Sequence, residues 1–244
     1  MAALYDIHGN LPALEAVLAE IADLAIERIV VGGDVVPGPM PKKTLDRLLD
    51  LDIPVQFITG NGEVAVLAEM QGSDPGVPSR YREAIKWNAA QLTPHHRDLL
   101  QNWPGTLRMH VPRLGKVLFC HATPQNPNDI VTRLTPDDRM ASIFGDAGAD
   151  VFICGHTHMQ FDRTIGSVRI VNAGSVGMPF GEPGACWLAL EPQVRLRRTR
   201  YDLETAATRI RQTQYPEARE FAARNVLAPP SEETMLRAYA PKES

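Results

Sequence analysis

Carboxylate, imidazole and amide side chains recur directly after short apolar runs in the first two-thirds of this 244-residue chain. The run Ala2 to Tyr5 leads into Asp6, Ile7, His8, Gly9 and Asn10. Ile29 to Gly33 leads into Asp34, Phe57 to Gly60 into Asn61, and Leu118 to Cys120 into His121. Phe152 to Gly155 leads into His156, Thr157 and His158. A lone strand-end histidine is more often a hydrogen-bonded structural group. Four of the chain's seven histidines grouped with two Asp and one Asn at such positions point instead to metal ligation. Mixed carboxylate, imidazole and amide donors without thiolate suit Mn²⁺, Fe, Zn²⁺, Co²⁺ or Ni²⁺ better than Ca²⁺ or an iron–sulfur cluster. Seven ligands exceed the needs of one tetrahedral ion and match two ions sharing a bridging carboxylate.

The elements that must position these groups follow from the apolar pattern. Ala2–Tyr5, Ile29–Val31 and Val55–Ile58 read as strands. Leu11–Leu24 has apolar residues at helical spacing, with Pro12 in its first turn and Asn10 a candidate for either its cap or a substrate contact. Pro41–Leu51 reads as a helix with Leu45, Leu48 and Leu49 on one face. This β-α-β-α-β rhythm argues for a largely parallel sheet, whose strand carboxyl ends gather binding residues. Val117–Phe119 and Val151–Ile153 read as further strands. Gln160–Ile165, Val168–Val171, Ala185–Leu190 and Val194–Tyr201 read as antiparallel neighbours, with Gly166-Ser167 in one tight turn. Residues 63–104 read as a helical insertion with helices near Arg80–Gln91 and Pro94–Asn102. Residues 202–244 read as a C-terminal helical extension broken at Pro216 and Pro229-Pro230. The whole is expected to be one domain, 1–244.

Composition excludes several classes. Hydrophobic residues are 44% and charged residues 22%, the balance of a globular chain rather than a disordered one. The net charge of −4 gives no basic field for a nucleic-acid backbone. No apolar stretch approaches a membrane span, and the first residues lack a signal-peptide pattern. Cys120, Cys154 and Cys186 form neither a CxxC pair nor an even framework, which fits a reducing, cytoplasmic setting.

Asp6-x-His8, Gly33-Asp34, Gly60-Asn61, His121 and Gly155-His156-Thr157-His158 resemble, in order, the five signature blocks of the calcineurin-like metallophosphoesterases. Asn172-Ala-Gly174-Ser175-Val176-Gly177 is similar to a further turn in small bacterial and archaeal members. The resemblance implies a four-layer αββα sandwich with mixed sheets. It implies that Asp6, His8, Asp34 and His158 hold one metal and Asp34, Asn61, His121 and His156 a second. It also implies in-line attack of a metal-bridging hydroxide on a phosphate mono- or diester, Asp34, Asn61 and His121 acting through the metals. The implied partner is a phosphorylated small molecule.

One position departs from the pattern. Many members carry Gly-Asn-His-Asp/Glu, the His assisting the leaving oxygen, whereas this chain has Gly60-Asn61-Gly62-Glu63. Lacking that acid, which is typically worth about 10²–10⁴-fold, the chain is expected to favour activated or phenolic esters. Glu63 reads as a surface helix N-terminus. Other candidates read as structural or solvated: His95, His96 and His110, the helix face of Arg80, Tyr81 and Arg82, and the strand arginines Arg195, Arg197, Arg198 and Arg200. Trp87 and Trp103 are expected to pack the insertion. A protein phosphatase is disfavoured because the run after Asp34 (Val35, Val36, Pro37, Gly38) lacks that subgroup's phosphate-clamping arginine. The alternative outside enzymes is a binding scaffold of the same fold, like the family's retromer subunit, although such descendants usually lose ligands.

Overall fold

The structure is a computed structural model that describes residues 1–190 and 193–240. Two five-stranded sheets stack face to face. In the first, β1 (Ala2–Leu4), β2 (Ile29–Val31) and β3 (Val55–Phe57) pair in parallel. β9 (Ala185–Ala189) joins antiparallel to β1, and β10 (Arg195–Thr199) antiparallel to β9, giving the order β10-β9-β1-β2-β3. The second sheet has the order β4-β5-β6-β8-β7, from β4 (Thr106–Val111), β5 (Gly115–Cys120), β6 (Val151–Cys154), β7 (Phe161–Ile165) and β8 (Val168–Asn172). β5, β6 and β8 run parallel, while β4 and β7 are antiparallel edges.

Side chains that alternate across each strand build three apolar layers. Ala3, Tyr5 and Val30 of the first sheet meet Val117, Phe119, Ile153 and Val171 of the second in the central layer. The Tyr5 hydroxyl crosses this layer to donate to the Ile153 carbonyl at 2.9 Å. The alternate residues Ala2, Leu4, Ile29 and Val31 face α1 (Leu11–Asp23) and α2 (Pro41–Leu49). That outer layer also takes Val66 of α3 (Asn61–Met70), Ile85 of α4 (Ser79–Gln91) and Leu100 of α5 (Pro94–Gln101). On the far side, Leu118, Phe152 and Ile170 pack against Met140 and Phe144 of α6 (Asp137–Phe144). The result is the αββα sandwich.

The tail forms α7 (Leu203–Arg211), α8 (Ala218–Phe221), a wider-wound continuation over Ala222–Leu227, and α9 (Glu232–Tyr239). Its last residues, 241–244, lie outside the described residues. Phe221, Ala207 and Ile210 cluster with Ala84 and Trp87 of α4. No helix among the described residues is long and apolar enough to cross a membrane.

Several expectations are corrected. The four late strands do not form one antiparallel group. β7–β8 and β9–β10 are hairpin pairs in different sheets, and β8 also pairs parallel to β6, whose edge its apolar face completes. Leu49 is exposed while Leu45 and Leu48 are buried, because α2 turns only a narrow stripe inward. His96 is not solvated: its ring lies between Thr93, which it helps to cap, and Asp46 of α2 at 2.9 Å. Trp87 packs edge-on against Tyr215 of the tail, and Trp103 stacks on Phe57 of β3. Arg197 pairs with Glu20 of α1 and covers Trp187 rather than lying free on a sheet face.

Phe144 anchors α6 through its contact with Phe152 at 5.1 Å between ring centroids. Phe144→Ala should cost about 3–5 kcal/mol in urea unfolding, and a loss below 1 kcal/mol would contradict the role of this layer.

Candidate metal centre

Each expected ligand sits just past the carboxyl end of a parallel strand, and the backbone there turns sharply. Seven non-glycine residues among those described adopt left-handed backbone angles, and five of them are Asp6, His8, Asp34, His156 and His158. Asp and His tolerate that region better than most residues, yet each such position is strained by about 1 kcal/mol or more. The strain aims the side chains into one crevice. A mesh of backbone bonds holds the turns together: Asp6 N–H to Gly33 O, His8 N–H to Asp34 O, and Gly155 N–H to His121 O.

The seven side chains converge. Nε2 of His158 lies 3.3 Å from Asp6 Oδ1, and Nε2 of His8 lies 3.2 Å from that of His158 and 3.7 Å from Asp34 Oδ2. Nε2 of His121 lies 3.5 Å from Asp34 Oδ1, 3.9 Å from Asp6 Oδ1 and 3.0 Å from Asn61 Oδ1. The His156 ring packs at 5.1 Å from that of His121. Two overlapping groups therefore have metal-holding geometry, Asp6-His8-His158 and Asp6-Asp34-His121.

The rings are set to present lone pairs. Nδ1 of His8 faces the Pro37 carbonyl, that of His121 the Gly32 carbonyl, and that of His158 the Met178 carbonyl, at 3.2, 2.9 and 2.9 Å. A carbonyl partner fixes the proton on Nδ1 and leaves Nε2 as a donor to a metal. Burial holds His8 and His158 down at about 4 and His156 at about 3, so these three imidazoles are neutral. Burial also pushes the Asp6 and Asp34 carboxyls well above the usual range. Asp6 Oδ1 is fully buried and accepts no hydrogen bond. An orphaned carboxylate oxygen among neutral imidazole nitrogens is what a bound cation would satisfy, and the donor set fits a first-row divalent metal.

The family model for the calcineurin-like phosphoesterase superfamily domain matches residues 1–193. The chain belongs to that superfamily. It is 27% identical over 238 residues to an uncharacterized protein of Methanocaldococcus jannaschii, covering 89% of this chain and 94% of the relative. A metallophosphoesterase from Sphaerobacter thermophilus is 25% identical, superposes with a TM-score of 0.69, and is matched over 91% of this chain and 98% of its own. A hypothetical protein of Pyrococcus horikoshii shares the fold at 20% identity and a TM-score of 0.77, over 91% of this chain and 96% of its own. Divalent metal is thus the family's cofactor class, and the domain here carries candidate ligand groups for it.

Residues beyond the seven brace this cluster. Glu63 is not at the surface. It is fully buried, and its two carboxylate oxygens accept from the backbone N–H groups of Asp34, Val35, Val36 and Gly60. Burial and the nearby Asp34 raise its carboxyl, and the amides of Gly60, Val36 and Asp34 pull it back. Sequence reading missed it because a glutamate in a first helical turn is ordinarily solvated. Asn88 of α4 accepts from Gly38 N–H at 2.9 Å, fastening the loop whose Pro37 carbonyl orients His8. Ser175 donates to Asp6 O, and Asn172 to Gly155 O, so the 172–177 turn supports both ligand loops. Asn10 caps α1 through Ala13 N–H, as expected, and also donates to Gly177 O.

Gly62 has no room for a side chain: a Cβ there would lie 2.2 Å from the Val36 carbonyl oxygen and 2.8 Å from Pro37. Its N–H donates to Asp34 Oδ1 at 2.7 Å. His95 and His110 are exposed and take no part in the cluster. Arg80 and Arg82 lie on the exposed face of α4, Arg82 paired with Asp74.

Glu63→Gln puts an amide donor against backbone donors. It should cost about 1–3 kcal/mol in urea unfolding and weaken Mn²⁺ binding about 10–100-fold in calorimetric titration; wild-type values in both would refute the bracing role. Gly62→His should lower the melting temperature instead of restoring an acid, and a variant as stable as the parent would show that the 34–37 loop yields.

Proposed function

We propose that this chain is a metal-dependent phosphoesterase that holds two divalent ions and hydrolyses phosphate mono- or diesters. The single observation that carries this reading is the fully buried, unbonded Asp6 Oδ1 amid neutral imidazole nitrogens in a chain of this family. Asp6, His8, Asp34 and His158 would hold one ion and Asp34, Asn61, His121 and His156 the other. Bound ions of this kind acidify water and neutralise charge on a phosphoryl group.

The chain's own residues supply the geometry. Asp34 faces His8 through Oδ2 and His121 through Oδ1, which supports a bridging role. Its orientation is fixed from behind by the Gly62 amide and from its backbone by Glu63. The carbonyl-held Nδ1 atoms keep the imidazoles from rotating, so little reorganisation is needed as charge develops. Asn61 is the amide donor at the start of α3, within reach of His121. Five of the seven, His8, Asp34, Asn61, His156 and His158, floor a cavity of about 490 Å³, a size suited to a small ester.

No side chain at position 62 can protonate a leaving oxygen. Leaving groups that depart as stable anions are therefore favoured, and aryl esters should turn over faster than simple alkyl esters by about 10²–10⁴-fold. The same absence is what favours a second reading, a metal-binding scaffold without catalysis. Metal analysis, with assays of aryl phosphate mono- and diesters in Mn²⁺, separates the two. Near two ions per chain with turnover supports the enzyme, and stoichiometric metal without turnover of any ester supports the scaffold. Asp34→Asn should abolish most activity and weaken metal binding, whereas His95→Ala should change neither; near-normal turnover in Asp34→Asn would overturn the site assignment.

A further inference from the structure

The cavity above the ligand cluster carries charge at its floor and, along the wall, only in Glu217, Glu220 and Arg224. His8, Asp34, Asn61, His156 and His158 form that floor, and the walls are chiefly apolar and aromatic: Val77, Ile85, Phe180, Phe221, Met235 and Tyr239. The wall begins against a ligand. The Phe180 ring stacks on His158 at 5.3 Å and lies 6.5 Å from the Tyr239 ring beyond it. Phe221, Met235 and Tyr239 all come from the tail after residue 193, outside the stretch matched by the family domain.

Charge on the wall gives a polyanion little to hold. Arg224 is the one Lys or Arg among the described lining residues, and its guanidinium is 3.2 Å from Glu220, itself a lining residue beside Glu217. A second phosphate, a carboxylate or a nucleic-acid backbone would meet two acidic groups and a single, exposed arginine. An apolar or aromatic arm would instead bury its surface against the rings, with about 25 cal/mol gained per Å².

We propose that the substrate is a phosphate ester carrying a compact apolar or aromatic arm, seated against the Phe180–Tyr239 wall while its phosphoryl group faces the ligand cluster. This rests on the phosphoesterase reading above and names the substrate class for the same site. The tail is then the specificity element, and the sandwich supplies the charged floor.

The test is calorimetric titration of the Mn²⁺-loaded full chain with methyl-, 2-hydroxyethyl-, phenyl- and 1-naphthylphosphonate, which bind without turnover. The naphthyl compound should bind at least about 10-fold tighter than the methyl compound, and the hydroxyethyl compound no tighter than methyl. Met235 is half-buried and Tyr239 partly exposed on α9, so Met235→Ala and Tyr239→Ala should fold, and each should cut the naphthyl-to-methyl ratio about 3-fold. Leu134→Ala, on an exposed residue outside the cavity, should leave that ratio unchanged. Equal affinities across the series, or a ratio that survives both α9 substitutions, overturn the apolar-arm proposal alone. Failure of every phosphonate to bind, methylphosphonate included, overturns the phosphoesterase reading and this proposal with it.

Discussion

Two carboxylates buried side by side among neutral imidazoles constrain the rest of this molecule. Burial of Asp6 and Asp34 raises both carboxyls, and no lysine or arginine approaches either among the described ion pairs. In a low-dielectric setting such a cluster is unfavourable unless positive charge enters it. The fold meets that cost with rigid scaffolding. Five candidate ligand positions accept left-handed backbone, and the strained turns are held by strands buried on both faces, where a shift of one element would open the core. The sandwich stores the geometry, and a cation would relieve its electrostatics.

Bracing extends well beyond the ligands. The Asp34 loop is tied to α3 by Glu63, the His8 loop to α4 by Asn88, and the Asp6 and His156 loops to the 172–177 turn by Ser175 and Asn172. These bonds connect segments far apart in sequence, so the cluster is an emergent property of tertiary structure. Helix α4 also shares an apolar cluster with the tail through Ala84 and Trp87. The element that steadies His8 from one side thus carries part of the cavity wall on the other, which links ligand geometry to the shape of the space above it.

Much of this was legible in the residues. Strands buried on both faces show as continuous apolar runs, and the polar residue after each run marks its carboxyl end; that pattern alone brought Asp6, Asp34, Asn61, His121 and His156 toward one crevice. Helices α1, α4 and α5 showed their periodicity or their proline starts. Other features left no local trace. α3 has no Ser, Thr or Asp cap, since Glu63 reaches back to the Gly60 amide instead. β4 is an edge strand with exposed Arg108 and His110, so its pattern is that of a polar segment. The parallel pairing of β8 with β6 was masked by the tight turn that makes β7 and β8 look like a free hairpin. His96 looked solvated because its partner Asp46 lies fifty residues away. For β8 and His96 the deciding contact is non-local, and spacing along the chain carries no information about it.

The glycine at position 62 shows how such contacts reshape a motif. Glu63 accepts from three consecutive amides, those of Asp34, Val35 and Val36. That triple grip curls the 34–37 loop over the start of α3, bringing the Val36 carbonyl and Pro37 onto the space a side chain at 62 would occupy. The same curl lets the Gly62 amide reach Asp34 Oδ1. Absence of a histidine here is therefore not a simple deletion from an otherwise unchanged site. The loop that fixes Asp34 and the space that would house an acid compete for one volume, and in this chain the loop has it. A proton for a leaving oxygen must then come from solvent, from the ester itself or from another wall of the cavity, and the chemistry open to the site is narrowed by packing before any substrate arrives.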